Sequence, residues 1–249
     1  MSDSIYLYAI ADADAVNPDG KTGVKGASIR TLRHDDLAAV VSDAPDGKLR
    51  PRRRNLKAHH DLLKALMTEA TILPMAFGVL AETEGQVTTF LQQHPDTLRA
   101  QLAQVRGHVE IGFRVSWNVD DIFAYFVEQS EELRDLRDAV FGGEGEPSRQ
   151  AKIQVGEEFE AQLQAARERH RATVEEHLGP ACRAFEADDP TDESEVMNLA
   201  CLVPRDGVDD FEAAIGDAAE AFSDDFTFTY TDPMAPYSFA DVAFEEVRA

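Results

Sequence analysis

Two adjacent histidines, His59 and His60, close a strongly basic stretch: from Lys48 to His60 there are six Lys or Arg residues and no acidic one. Imidazoles can bind metal or carry protons, and clustered arginines can neutralise phosphates. Adjacent positions on a helix diverge by about 100°, so His59 and His60 cannot share one metal ion. As a general base His59 would need a carboxylate partner, for which Glu110 is one candidate. A nucleic-acid arm over Arg50 to Arg54 would bind with a steep salt dependence, but no aromatic residue interleaves the run for base stacking, and the chain carries a net charge of -23. The favoured reading places Arg52 to Arg54 ahead of a helix, paired with the protein's own acidic surface or with an acidic partner. Cys182 and Cys201 have neither zinc-ligand nor disulfide-framework spacing and are expected to be buried thiols. No phosphate-binding loop, dinucleotide fingerprint, nucleophile elbow or zincin motif occurs, so no catalytic residue, cofactor or metal is expected.

The elements that would hold these residues belong to a chain of ordinary globular composition. At 249 residues, 43% hydrophobic and 29% charged, it can build a substantial core, burying roughly 70 to 75% of its unfolded surface. An excess of 47 acidic over 24 basic residues disfavours nucleic acid and anionic lipid as partners, and no apolar run reaches the ~20 residues that span a bilayer. The N-terminus lacks a basic region ahead of its short apolar stretch, so a cytoplasmic protein is expected.

Periodicity places a central strand at Ile5 to Ala11 and two short strands in ASIRTL and LAAVVSDA, the last bounded by Pro45-Asp46-Gly47. After Pro51 the spacing becomes helical, with Leu56, His59, Leu63, Leu66, Met67 and Ala70 on one apolar stripe and His60 at its edge. Thr71 to Leu80 is apolar but contains Pro74, which has no N–H to donate, so it should be an edge segment turning into the core. Helical spacing follows from about Glu84 to Arg106, broken at His94-Pro95-Asp96, and then Val109 to Trp117 alternates as a strand with one buried and one wet face. Two helical stretches, Val119 to Phe141 and about Gln150 to Phe185, joined by Gly142 to Ser148, form a hairpin with His170 packed in an apolar seam. Glu186 to Glu195 reads as a solvated acidic loop, followed by a strand at Val196 to Val203, a helix at about Val208 to Phe222 and a strand at Phe226 to Thr231. The order is that of an α+β domain with a split βαβ core. The tail from Asp232 holds Pro233 and Pro236 but should bury Tyr237, Phe239, Val242 and Phe244.

The segment RNLKAHHDLLKALMTEATILPMAFGVL, Arg54 to Leu80, resembles the signature of the gas vesicle protein family GvpF/GvpL. Arg54, Asn55, His59, Leu73, Pro74, Met75, Phe77 and Gly78 match it, while Ala76 stands where the family usually has Arg. YLYAI near the start, GHVEIGFRVSW and the partial match Asp232 to Phe239, which lacks the family's Trp, fall where the family has them. The resemblance implies an N-terminal α+β domain, residues 1–107, and a C-terminal modified ferredoxin-like domain, residues 108–249, carrying the helical hairpin. It also implies a non-enzymatic accessory or minor structural protein at the cytoplasmic gas vesicle. Its partners would be the shell protein GvpA and other vesicle proteins, with no nucleic acid and no membrane. Candidate structural or partner-contact residues are Arg54, His59, Pro74, Phe77, Gly78, Pro236, Tyr237 and Phe239.

Overall fold

The computed structural model describes residues 4–45, 49–143 and 146–244. The Asp46-Gly47 turn, the lead-in Lys48 and part of the Gly142 to Ser148 linker therefore lie outside the described residues. The chain divides into two compact units, Met1–Ile111 with Leu202–Arg205 and Asp232–Ala249, and Gly112–Cys201 with Asp206–Thr231.

In the first unit, β1 (Ile5–Asp12), β2 (Arg30–His34), β3 (Leu37–Asp43), β4 (Ile72–Pro74) and β5 (Leu80–Ala81) form one sheet in the order β2-β3-β1-β4, with β5 also on β1. β1 is interior, and every residue from Ile5 to Ala11 is buried, as a strand apolar on both faces requires. A register shift between Leu7 and Ala9 marks a bulge at Tyr8. Pro74 pairs with Ala9 on the outermost strand, where its missing N–H leaves no ladder bond unmade. α1 (Arg53–Met67) packs against β1 and β4, α2 (Glu84–Gln93) against β2, β3 and β5, and α3 (Pro95–Val105) against β4 and β1. Pro95 opens α3 at its first turn, where a missing N–H costs no helical bond. Two readings change here. Leu56, assigned to the apolar stripe, is 42% exposed: it is in line with the buried Leu63, but two turns earlier on the helix the cover reaches only Asn55 and His59. Arg53 and Arg54 lie inside the first turn of α1, with only Arg52 ahead of it.

The second sheet has the order β7-β8-β6-β9, built from β6 (His108–Trp117), β7 (Ala184–Asp188), β8 (Glu195–Pro204) and β9 (Phe226–Tyr230). With strands taken in chain order this is 2-3-1-4, the arrangement of a βαββαβ ferredoxin-like sheet. The first crossover is enlarged into α4 (Ile122–Gln129), α5 (Glu131–Phe141) and α6 (Arg149–Leu178), and α7 (Val208–Glu220) forms the second. The single helix read over Val119 to Phe141 is two helices, because Ser130 leaves the helical conformation and its side chain caps α5 by accepting from Leu133 N–H. α5 packs on α6, giving the expected hairpin.

The long helix stops at Leu178, seven residues before Phe185, where Gly179-Pro180 turns the chain into a short 3₁₀ segment. That frees Ala184 to Asp188 to pair as β7, a strand hidden in the stretch read partly as helix and partly as solvated loop. Glu195, read as part of the same loop, is 2% exposed. It accepts from Thr191 N–H and Oγ1 at 2.7 Å each and meets Arg114 Nε at 2.9 Å, which is what permits a buried carboxylate. Cys201 is buried, but Cys182 is only half-buried, at the turn that follows the 3₁₀ segment. His170 packs against Phe222 and Phe226 at 5.1 and 4.8 Å between ring centres, and burial, reinforced by Arg169, lowers its pKa.

Candidate functional site

In the first unit, α1 lays His59 against the β1 face that carries Tyr6 and Tyr8. The imidazole is 3% exposed, stacked 5.6 Å from the Tyr8 ring and edge-on to Tyr6 and Phe77 at 5.7 and 5.8 Å. Both ring nitrogens are used. Nε2 lies 3.1 Å from the Met75 carbonyl, which can only accept, so Nε2 carries the proton. Nδ1 is then the acceptor for the Tyr6 hydroxyl at 3.0 Å, and that hydroxyl accepts from Gly78 N–H at 2.9 Å. The donors therefore run in one direction, from Gly78 through Tyr6 to His59 and on to Met75. Tyr237 adds its hydroxyl 3.3 Å from Nε2.

The Met75–Gly78 backbone explains why this segment needs its residues. Met75 N–H donates to Tyr8 O and Leu7 N–H donates to Val79 O, so between β4 and β5 the chain bows away from β1 and returns. Gly78 sits at the apex with φ +94°, a conformation that a side chain resists. The bow turns Phe77 outward to half-burial and leaves Ala76 exposed.

Electrostatics match this geometry. Burial pushes His59 down to about 4, opposed by its bond to Met75 and aided by the neighbouring His60, so the ring is neutral near pH 7. Burial raises the Tyr6 phenol above its ordinary value and Tyr237 to about 12, the latter helped by the Glu110 carboxylate. Glu110, on the β6 face read as wet, is 5% exposed and accepts from Ser238 N–H and Oγ at 2.7 and 3.0 Å. Its backbone also bridges that of Met234, fixing the tail that presents Tyr237. The carboxylate that was a candidate partner for His59 thus holds the tail, while the His59 nitrogens are taken by Tyr6 and Met75. With no free lone pair and a pKa of about 4, His59 is poorly equipped to take a proton from a substrate.

Above this clamp of Gly78, Tyr6, His59 and Met75 lies a groove of about 610 Å³ lined by Arg53, Leu56, Lys57, His59, His60, Asp61, Phe77 and Tyr237. Of the candidate residues, His59, Phe77 and Tyr237 meet here, and Gly78 and Pro74 shape the bow that presents Phe77. Pro236 and Phe239 are buried on either side of Tyr237 in the tail, and Arg54 is exposed in the first turn of α1. Sequence reading missed Tyr6 and the anchoring role of Asn55, which is 3% exposed and donates from Nδ2 to Arg50 O at 2.9 Å. One signal was available for Tyr6, since a tyrosine buried in a two-faced strand requires a hydroxyl partner. Among the described residues no group of three or more His, Cys, Asp and Glu is placed to hold a metal ion.

The family model described as gas vesicle synthesis protein GvpL/GvpF matches residues 4–241, a span that holds every residue of this site. The chain belongs to this family. It is 29% identical over 245 residues to gas vesicle protein F of Streptomyces sp. (strain CB03234), covering 96% of this chain and 100% of that one. Gas vesicle protein F of Dolichospermum flosaquae is 24% identical over 245 residues, covering 97% and 99%. The crystal structure of GvpF from Anabaena sp. PCC7120 superposes with a TM-score of 0.84 at 24% identity, over 98% of this chain and 100% of that one. GvpF from Microcystis aeruginosa gives 0.82 at 23%, over 96% and 100%. These likenesses establish the GvpF fold for both sheets. Membership in the GvpL/GvpF family gives the chain a gas vesicle-related role, and among the described residues no helix is long and apolar enough to cross a membrane.

Proposed function

We propose that this protein is an accessory or minor structural component of the gas vesicle that acts by binding, contacting the shell protein GvpA and other vesicle proteins during assembly, without catalysis. One observation carries the reading. The motif residues His59, Met75, Phe77 and Gly78 converge on a clamp in which both His59 nitrogens are bonded, beside an open apolar groove. A chain of net charge -23 that displays such a groove suits a soluble protein meeting an apolar client, because its charge keeps the complex dispersed. The test is co-expression of the tagged full chain with GvpA. Retention of GvpA on the tagged chain through washing is expected, and its absence under conditions where both proteins are soluble would remove the reading.

A further inference from the structure

We infer that the groove over His59 receives an apolar segment that carries carboxylates beside its apolar anchor. The inference rests on the binding reading above and names the chemistry of the partner at that site.

Arg53, Leu56, Lys57 and His60 fall at i, i+3, i+4 and i+7 on α1 and therefore share one face, which lines the groove opposite Phe77 and Tyr237. This face is basic in a chain of net charge -23. Lys57 is held by Asp61 at 2.6 Å, but among the described residues Arg52, Arg53 and Arg54 have no ion pair, although the protein has 47 acidic residues available to supply one. Their position is also unfavourable within the fold. Arg53 and Arg54 occupy the first turn of α1, no acidic residue shares that turn, and a helix N-terminus repels positive charge. A folding requirement would place acidic groups here, and the unpaired Arg53 on the groove wall, with unpaired Arg52 and Arg54 flanking it in the chain, instead complements a partner's carboxylates. The apolar part of the surface is real as well. Leu56 is 42% exposed, and the half-buried rings of Phe77 and Tyr237 are held in place by the clamp rather than free to fold away.

The test uses the full chain and a fluorescent leucine-rich amphipathic peptide in two versions, with glutamates or lysines on its polar face. Each is titrated against wild type, Arg53→Glu, Leu56→Asp and, as a control, Arg149→Glu, the same reversal in the first turn of α6. The glutamate peptide is expected to bind wild type at least about tenfold more tightly than the lysine peptide, and to lose about tenfold or more with Arg53→Glu and Leu56→Asp but not with Arg149→Glu. Arg53→Glu should also melt at a higher temperature than wild type, so weakened binding cannot be ascribed to unfolding. Equal binding of the two peptides, or binding unchanged by both groove variants, overturns the inference while leaving the GvpA reading standing. Loss of GvpA capture by the wild-type chain removes the reading on which it rests.

Discussion

Replacing His59 with glutamine should flatten the acid limb of the protein's stability curve. The side-chain amide keeps a donor for the Met75 carbonyl and an acceptor for the Tyr6 hydroxyl, but it cannot take a proton in this range. In the wild type, the unfolded chain protonates this histidine near its ordinary value of about 6.5, whereas the folded chain holds it at about 4. Between those values the unfolded state binds the extra proton, so stability falls as the pH falls. The contribution is complete above pH ~6.5, lost progressively on acidification and gone below pH ~4, and at 1.36 kcal/mol per unit it amounts to about 3 kcal/mol. Urea unfolding followed by circular dichroism at pH 7 and pH 4, with both proteins, measures it directly. Groups common to both proteins, such as His170, cancel in the difference. The wild type should lose about 3 kcal/mol more than His59→Gln on going from pH 7 to pH 4. Parallel losses would refute the buried, neutral, doubly bonded imidazole.

Three further substitutions probe the frame around this clamp. At Gly23 an added Cβ would lie 2.1 Å from the Tyr8 hydroxyl and 2.7 Å from Ile29 Cδ1, so Gly23→Ala should destabilise by about 1–3 kcal/mol, read as a fall in urea midpoint at unchanged slope. Gly78→Ala meets no atom within 4 Å, so its effect isolates the positive φ and should be about 1–2 kcal/mol in the same assay. Asn55→Ala removes the bond to Arg50 O and should cost about 1–3 kcal/mol, with faster hydrogen exchange at Asn55 and Leu56, whose amides bond to Arg52 O at the start of α1.

Elements whose signals are local were legible in the sequence. β1 announced itself by being apolar on both faces, the break before α3 by Pro95, and the edge position of β4 by Pro74. What escaped depends on long-range partners. β7 has a single large apolar residue, Phe185, among acidic neighbours, and becomes a strand only because β8 offers it a ladder and Gly179-Pro180 ends α6 early. Glu110 sits in a period-2 pattern that reads as solvent-facing, and its burial follows from Ser238, 128 positions later. The clamp was half visible. His59 on its apolar stripe and the Pro74, Phe77 and Gly78 signature were apparent, but the hydroxyl joining them comes from Tyr6, 53 residues before the histidine, and no local periodicity reports that separation. Leu56 was misplaced because helical spacing alone does not say how far along the helix the cover extends, and its exposure is what opens the groove.

The most direct measurement of the proposed assembly role is the gas content of a vesicle-forming host in which this gene is deleted and then restored, read as the turbidity lost when pressure collapses the vesicles. Deletion should abolish or sharply reduce the pressure-sensitive turbidity, and the wild-type chain should restore it while Leu56→Asp does not. Undiminished vesicles in the deletion strain would contradict a role in assembly.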